Sequence, residues 1–275
     1  AFKVLPNAAL QGRGDQESAQ GQKLRRILSF AQMSAAIALL ASALAVAWQS
    51  HFLANQNVGY DTRNLITMQL PGDTAKQRIL AFASDLEKIP NVAAVSMSNE
   101  PTRDSLSSTI ATRAGFPAAN LNFLEVTSNF FAVHGIRPLV GRLFNREQEK
   151  IDDKTGKNAS DAILLNISAV SRLGFANVDA ALGQFIRTNY GLSQIVGVVP
   201  DLTNVNPKKQ ALAMMYFPST HGNNLTIRTF AEYASVQARI TQLWSRHFPD
   251  SVLQMQTASA EVHAESRAEK NMAYL

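Results

Sequence analysis

The sequence contains no cysteine, which excludes disulfides, thiolate nucleophiles, Fe–S clusters and cysteine-type zinc sites. It has five histidines, His51, His134, His221, His247 and His263, among 275 residues. No two of them stand at the i,i+3 or i,i+4 spacing that puts two imidazoles on one helix face, so a histidine metal centre is not expected. Phosphate-cradling loops are also missing. Gly12-Arg13-Gly14 lacks a third glycine and a preceding strand, and no G-x-x-x-x-G-K run exists, so the chain has no Walker site of its own for ATP. G-x-S-x-G and H-E-x-x-H are absent as well. Lys154-Thr155-Gly156 matches a β-lactamase tripeptide, but it lies in a charged loop without an S-x-x-K partner. Asp152 and Asp153 read as solvated loop acids, as does His221 as a loop imidazole. No catalytic constellation, cofactor site or metal site is expected.

A one-sided charge is lacking too. The net charge is +5, from 26 basic and 21 acidic groups. Residues 1–50 hold five basic groups (Lys3, Arg13, Lys23, Arg25, Arg26) and two acidic ones, leaving 21 against 19 in the rest. An outer body with an excess of only two positive charges has no basic face for nucleic acid.

What is present is one long apolar run. From Ile27 to Ser50 there are 24 residues without a charge. As a helix they would measure about 36 Å, against a hydrocarbon core of about 30 Å. A buried core helix of that length would carry a polar stripe, whereas here Gln32 and Gln49 stand near the ends. Ala45-Val46-Ala47 fits a signal-peptidase pattern, but the run is too long for such a segment and too far from the start of the sequence. Lys23, Arg25 and Arg26 precede the span and Trp48 closes it. The cations are expected to stay in the cytoplasm and the indole to lie at the far interface, with everything after about residue 53 outside. Ser34, Ala38 and Ser42 form one small-residue row and Ala31 and Ala35 another, a face for close helix approach. The first residue is not Met, and residues 258–275 read as a helix without a stop signal, which reads as a piece of a longer chain.

Beyond the span the periodicity changes. Residues 64–70 alternate as a strand, Pro71 to Thr74 turn and cap, and Ile79, Phe82, Leu86 and Ile89 recur at helical spacing up to Pro90. Val92 to Ser98 form a second strand. The unit recurs as strand 224–229, a helix over about 232–247, and strand 252–257. Between them lie strands near 163–167, 184–188 and 193–199, with a hairpin turn at Asn189-Tyr190-Gly191. The expected class is α+β: one N-terminal transmembrane helix, then a split β-α-β, ferredoxin-like and porter-like layer with an inserted strand-rich subdomain. The boundaries are a cytoplasmic linker 1–26, a transmembrane helix 27–53, the split layer 54–99 and 216–257, the insertion 100–215, and the start of a stalk helix 258–275 leading to a further membrane segment. Gly222, in the loop before the second unit, is expected to be reachable from outside.

Several stretches carry a family resemblance. Phe130-Phe131, Val133, Gly135-Ile136, Leu139 and Gly141-Arg142-Leu143-Phe144 resemble a segment of the periplasmic core domain of MacB-type, FtsX-like ABC transporter permeases. Gly59-Tyr60-Asp61, Pro90-Asn91-Val92, Leu182-Gly183 and Ile195 to Asp201, which includes Gly197, follow that family's order. Residue by residue, Gly135 and Gly141 suit turns of positive φ, Phe130, Phe131 and Phe144 suit a core, and Arg142 suits a loop tether through a carboxylate. The resemblance implies a non-enzymatic permease piece in a bacterial inner membrane, with a periplasmic domain. It also implies an ABC ATPase subunit or domain that binds the ATP, a second permease half or protomer, contact with lipid, and a periplasmic or outer-membrane partner. A bitopic sensor with an outer ligand pocket is the alternative.

Overall fold

The computed structural model describes residues 19–54, 61–72, 74–99, 107–145, 147–149, 162–202 and 211–260, and it divides into two compact units, Ala1–Gln56 and Asn57–Leu275. In the first unit α1 (Ala19–Ala54) is a single 36-residue helix, about 54 Å long. Its stretch Lys23–Trp48 is apolar enough to cross a membrane and packs against nothing in the unit. The helix begins before the cationic cluster, so Lys23, Arg25 and Arg26 lie on its first turns and not in a linker. Leu, Ala and Met sustain that continuity, with no Pro in it and its one glycine, Gly21, in the first turn.

In the second unit β1 (Leu65–Gln69), α2 (Lys76–Glu87) and β2 (Val92–Asn99) come first, and β10 (Asn224–Thr229), α6 (Tyr233–His247) and β11 (Met255–Thr257) come last. Their strands pair in the order β11-β1-β10-β2, antiparallel throughout. Counted among these four strands, that is the 4-1-3-2 order of a ferredoxin-like layer, so the two β-α-β segments build one sheet although 124 residues separate β2 from β10. The period-two pattern explains why. Ile66, Met68, Val95, Met97, Leu225 and Ile227 share one face and form a core with Phe82 and Leu86 of α2 and Ile240 and Trp244 of α6. Phe82 is the hinge of that packing, with ring centroids 5.7 Å from Trp244 and 5.0 Å from Phe248.

Two local expectations fail. Thr74 donates its N–H to Pro71 O in the turn, but the N-cap of α2 is Ala75, which has no side chain to cap with. The strand expected over 252–257 keeps only Met255–Thr257, because Trp244 Nε1 donates to Ser251 O and holds the preceding loop off the sheet.

The middle of the chain supplies β3 (Ser108–Ala111), β4 (Ala119–Thr127), α3 (Phe130–Val133), β5 (Val140–Gly141), β6 (Ala162–Asn166), α4 (Ile167–Arg172), α5 (Val178–Ala181), β7 (Phe185–Thr188), β8 (Gly191–Val199) and β9 (Met214–Ser219). These strands continue the same sheet through two residue pairs, Ser98↔Val126 and Asn99↔Glu125. From β4 the pairing runs to β9, β6, β8 and β7, and β3 returns to β4. Thr112 and Arg187 exchange both backbone hydrogen bonds, at 2.8 and 2.9 Å, and so link β3 to β7. Six strands thus form a closed circuit, which removes their open edges. Alternation divides their cores. Ile163 and Leu165 of β6 join Ala111, Leu121, Ile186, Ile195 and Met215, while Leu164 points the other way into Phe131, Phe144 and Tyr216. β3 and β9 are strands that periodicity did not announce.

Candidate functional site

Antiparallel pairing decides which chain ends meet. Leu65 opposes Arg228, Ile66 opposes Thr257, and Thr229 opposes Val92. The start of β1, where the chain arrives from the helical unit, is therefore beside the end of β11, where it leaves. Leu65, Val133 and Ala258 are buried together at this place.

Arg228 ties the surrounding backbone. Leu225 and Ile227 face the helices, so Arg228 points to the opposite side of the sheet, against α3. Its Nε donates to Val133 O at 2.6 Å, Nη1 to Arg63 O at 2.9 Å and Nη2 to Asp61 O at 2.9 Å. Asp61 Oδ2 stands 3.6 Å from Nη1. Burial pulls the guanidinium below its usual value, yet it remains charged over any physiological range. Arg63, through its hydrogen bond at 3.0 Å, holds the Asp61 carboxyl below the ordinary carboxylate range. Asp61 N–H also donates to His134 O. Gly135, at φ +70°, lets the chain turn here: a Cβ would come within 3.8 Å of the Asp61 Cβ. His134 is buried beside Phe130, ring centroids 4.2 Å apart, with Nδ1 2.8 Å from Phe130 O. Desolvation lowers its pKa to about 4, so it is neutral at physiological pH.

The residues singled out by sequence fall into separate places. Trp48 is exposed on α1, and Gly59 lies outside the described residues. Asp61 and Gly135 meet at the junction just described, while Phe131 packs against Phe144 and Tyr216. Gly141, Arg142, Phe144, Gly183 and Gly197 surround the β5–β8 pairing instead. Arg142 Nη1 contacts Glu149 Oε1 at 2.6 Å, and the Glu149 side chain is 1% exposed. Asp201 accepts from Ser168 N–H at 3.0 Å and from Ser168 Oγ at 2.8 Å, at the start of α4. Asp152 and Asp153 lie outside the described residues. His221 is half-buried and not a solvated loop residue, with Nδ1 enclosed and unpartnered among the described residues. Gly222 is buried, and a Cβ there would meet Ser98 O at 2.3 Å. Among the described residues no three His, Asp or Glu groups gather as a metal site.

Arg228, His134 and Glu149 went unread in the sequence. The one available signal was an arginine two places after Thr226 in a strand whose alternate positions, Leu225 and Ile227, are apolar.

A transmembrane-length helix followed by this interrupted ferredoxin-like layer and closed strand circuit can be matched against known families. Residues 31–265 match the model of the MacB-like periplasmic core domain. The chain belongs to that family. This periplasmic core domain is a component of ABC transporter permeases and not a classical enzyme, and the apolar helix before it fits an inner-membrane protein. The periplasmic region of MacB from Actinobacillus actinomycetemcomitans superposes with TM-score 0.53 at 17% identity, over 77% of this chain and 96% of that one. The extracellular domain of the noncanonic ABC-type transporter YknZ from Gram-positive bacteria gives 0.49 at 17% identity, over 70% and 100%. A domain of a putative permease protein from Porphyromonas gingivalis gives 0.48 at 15% identity, over 71% and 90%. No curated protein matches. At these identities the MacB structure speaks for the fold alone.

Proposed function

We propose that this chain is the moved part of an ABC-type permease: ATP hydrolysis in a separate or fused ATPase displaces α1, and the displacement passes into the periplasmic unit. This chain binds no ATP, metal or other cofactor on that reading. It works beside a second permease half or protomer, within lipid, and toward a periplasmic or outer-membrane partner. The movement serves export, efflux or mechanotransmission. The four-stranded layer (54–99 and 216–257) receives the movement and the inserted part (100–215) carries it outward.

The observation that supports this reading is the convergence on Arg228. One guanidinium holds the arriving segment at Asp61 and Arg63 and the carbonyl of Val133 in α3, and Val133 packs on the departing Ala258. A junction built from packing and backbone hydrogen bonds transmits force without side-chain chemistry. The test is a Gly-Gly insertion after Leu53 in the full-length assembly. Transport should fall strongly while ATP hydrolysis, folding and membrane insertion persist, because glycines absorb the displacement. Normal transport by the insertion variant would overturn the mechanical reading.

A further inference from the structure

Two hairpins of the closed circuit show the same departure from alternation. β3 pairs with β4 and β7 with β8, which sets Ile110 opposite Asn120, Arg187 opposite Leu192 and Phe185 opposite Gln194. Thr112 opposes Arg187 across the hairpins, so all of these side chains share one face. The residues between them turn into the circuit, where Ala111 and Ile186 are fully buried in its core. The outward face of such a layer is ordinarily polar. Here Ile110, Phe185 and Leu192 stand on it 56%, 52% and 43% exposed.

The charge on this face has one sign. Residues 107–124 and 180–200 contain no acidic side chain, and their two cations are Arg113 and Arg187. Arg113 is stacked between Phe116 and Phe175, 4.0 and 3.9 Å from the ring centroids. Arg187 is exposed beside Leu192, and among the described residues no carboxylate pairs with it. Exposed apolar groups around an arginine that lacks its acid are the composition of an interface centre, with the opposite charge left to the partner.

We infer that this face docks a protein partner outside the inner membrane, one that sets a carboxylate against Arg187 and apolar side chains against Ile110, Phe185 and Leu192. The inference rests on the reading above that this unit works toward a periplasmic or outer-membrane partner. A second copy does not fit face to face, because it would bring together two cationic faces without an acid between them. A bilayer fits poorly as well. Asn120 and Gln194 are interleaved with the apolar groups, and lipid would strip water from these amides without supplying the hydrogen bonds that a protein surface offers.

Thiol labelling of the full-length permease with a membrane-impermeant maleimide gives the test. Asn120→Cys and Gln194→Cys report on the face, and Val252→Cys, 86% exposed in the parent, reports away from it. In cells whose inner membrane is intact, labelling at 120 and 194 should be several-fold slower than in the permease purified in detergent, while labelling at 252 should be equal in both. Arg187→Glu, and independently Phe185→Ser, should restore the fast rate in cells, whereas Arg187→Lys should leave the protection in place. Equal rates in cells and in detergent would overturn the docking inference, as would protection that survives Arg187→Glu. Protection that persists in detergent would make residues of the chain itself or a second copy the cover. Protection regained in vesicles of phosphatidylcholine and phosphatidylglycerol without other protein would make the cover lipid. Either result overturns the inference. A position 252 that stays unlabelled in intact cells would instead overturn the topology on which the inference rests.

Discussion

Gly141 and Gly197 oppose each other as register partners between β5 and β8, and neither has room for a side chain. A Cβ on Gly141 would fall 2.3 Å from Val196 O, and one on Gly197 would fall 2.3 Å from Arg142 O. The two strands cross closely enough there for Arg142 N–H to donate to Val196 O, and this fixes where the Arg142–Glu149 pair sits.

Gly141→Ala should destabilise the periplasmic unit by about 3 kcal/mol or more, since it combines a positive φ of +74° with an overpacked contact to backbone that cannot yield. Gly183 has φ +75° and nothing within 4 Å of its would-be Cβ, so Gly183→Ala carries only conformational strain, about 1 kcal/mol. Denaturant midpoints of the two variants separate these contributions. Equal losses would show that the close approach at Gly141 relaxes freely.

Arg228→Met should cost about 2 to 3 kcal/mol, because it leaves the carbonyls of Asp61, Arg63 and Val133 without their donor in a half-buried place. Arg228→Lys should recover little, as one ammonium cannot reach three carbonyls set around a planar fork. Amide exchange at 61–64 and 133–136 should accelerate more than exchange in β6. Uniform acceleration would show that Arg228 supports the whole unit and not the junction.

Acid stability should show two windows. The folded pKa of His134 lies near 4, below its ordinary 6.5, so between those values the unfolded chain binds the proton and the folded chain does not. Stability therefore falls as pH drops from about 6.5 toward 4, by about 3 kcal/mol at most from this residue. His221, lowered by burial, adds in the same direction. Asp61, lowered chiefly by Arg63, stabilises above its unfolded value and loses that contribution only in more acid solution. His134→Gln should flatten the upper window while leaving the lower one. An unchanged slope between pH 6.5 and 4 in that variant would remove His134 as its source.

The elements that bury one clear face were legible before any coordinates. Ile79, Phe82 and Leu86 repeat at helical spacing, and Ile66 and Met68 alternate, so the split layer could be read from pattern alone. The closed circuit was not. β6 is buried on both faces, so its residues Ala162–Asn166 show no alternation to read. β3 has only four residues, and it reaches β7 through Thr112, a pairing that no local pattern encodes. Glycine conformations were readable at Gly135 and Gly141, where turn chemistry is local. The Arg228 junction was hidden because its partners lie 165 and 167 residues away at Arg63 and Asp61.

Topology can be tested with one substitution, because a chain with no cysteine gives an introduced thiol a clean background. Gly222 is the wrong place for it: the position is buried against Ser98, and the substitution would disturb the strand it reports on. Val252 is 86% exposed, in a loop whose nearest backbone bond, Trp244 Nε1 to Ser251 O, does not involve its side chain. On the proposed topology, in which Lys23, Arg25 and Arg26 hold the first turns of α1 in the cytoplasm, Val252→Cys should react with a membrane-impermeant maleimide in cells whose inner membrane is intact. Ala38→Cys, midway along the apolar run, should stay unlabelled in the same cells even after lysis without detergent, since lipid shields it. Labelling of Val252→Cys only after lysis would place the periplasmic unit on the cytoplasmic side. Replacing all three cations by glutamine should then weaken the asymmetry and yield a mixed population, which the same reagent counts.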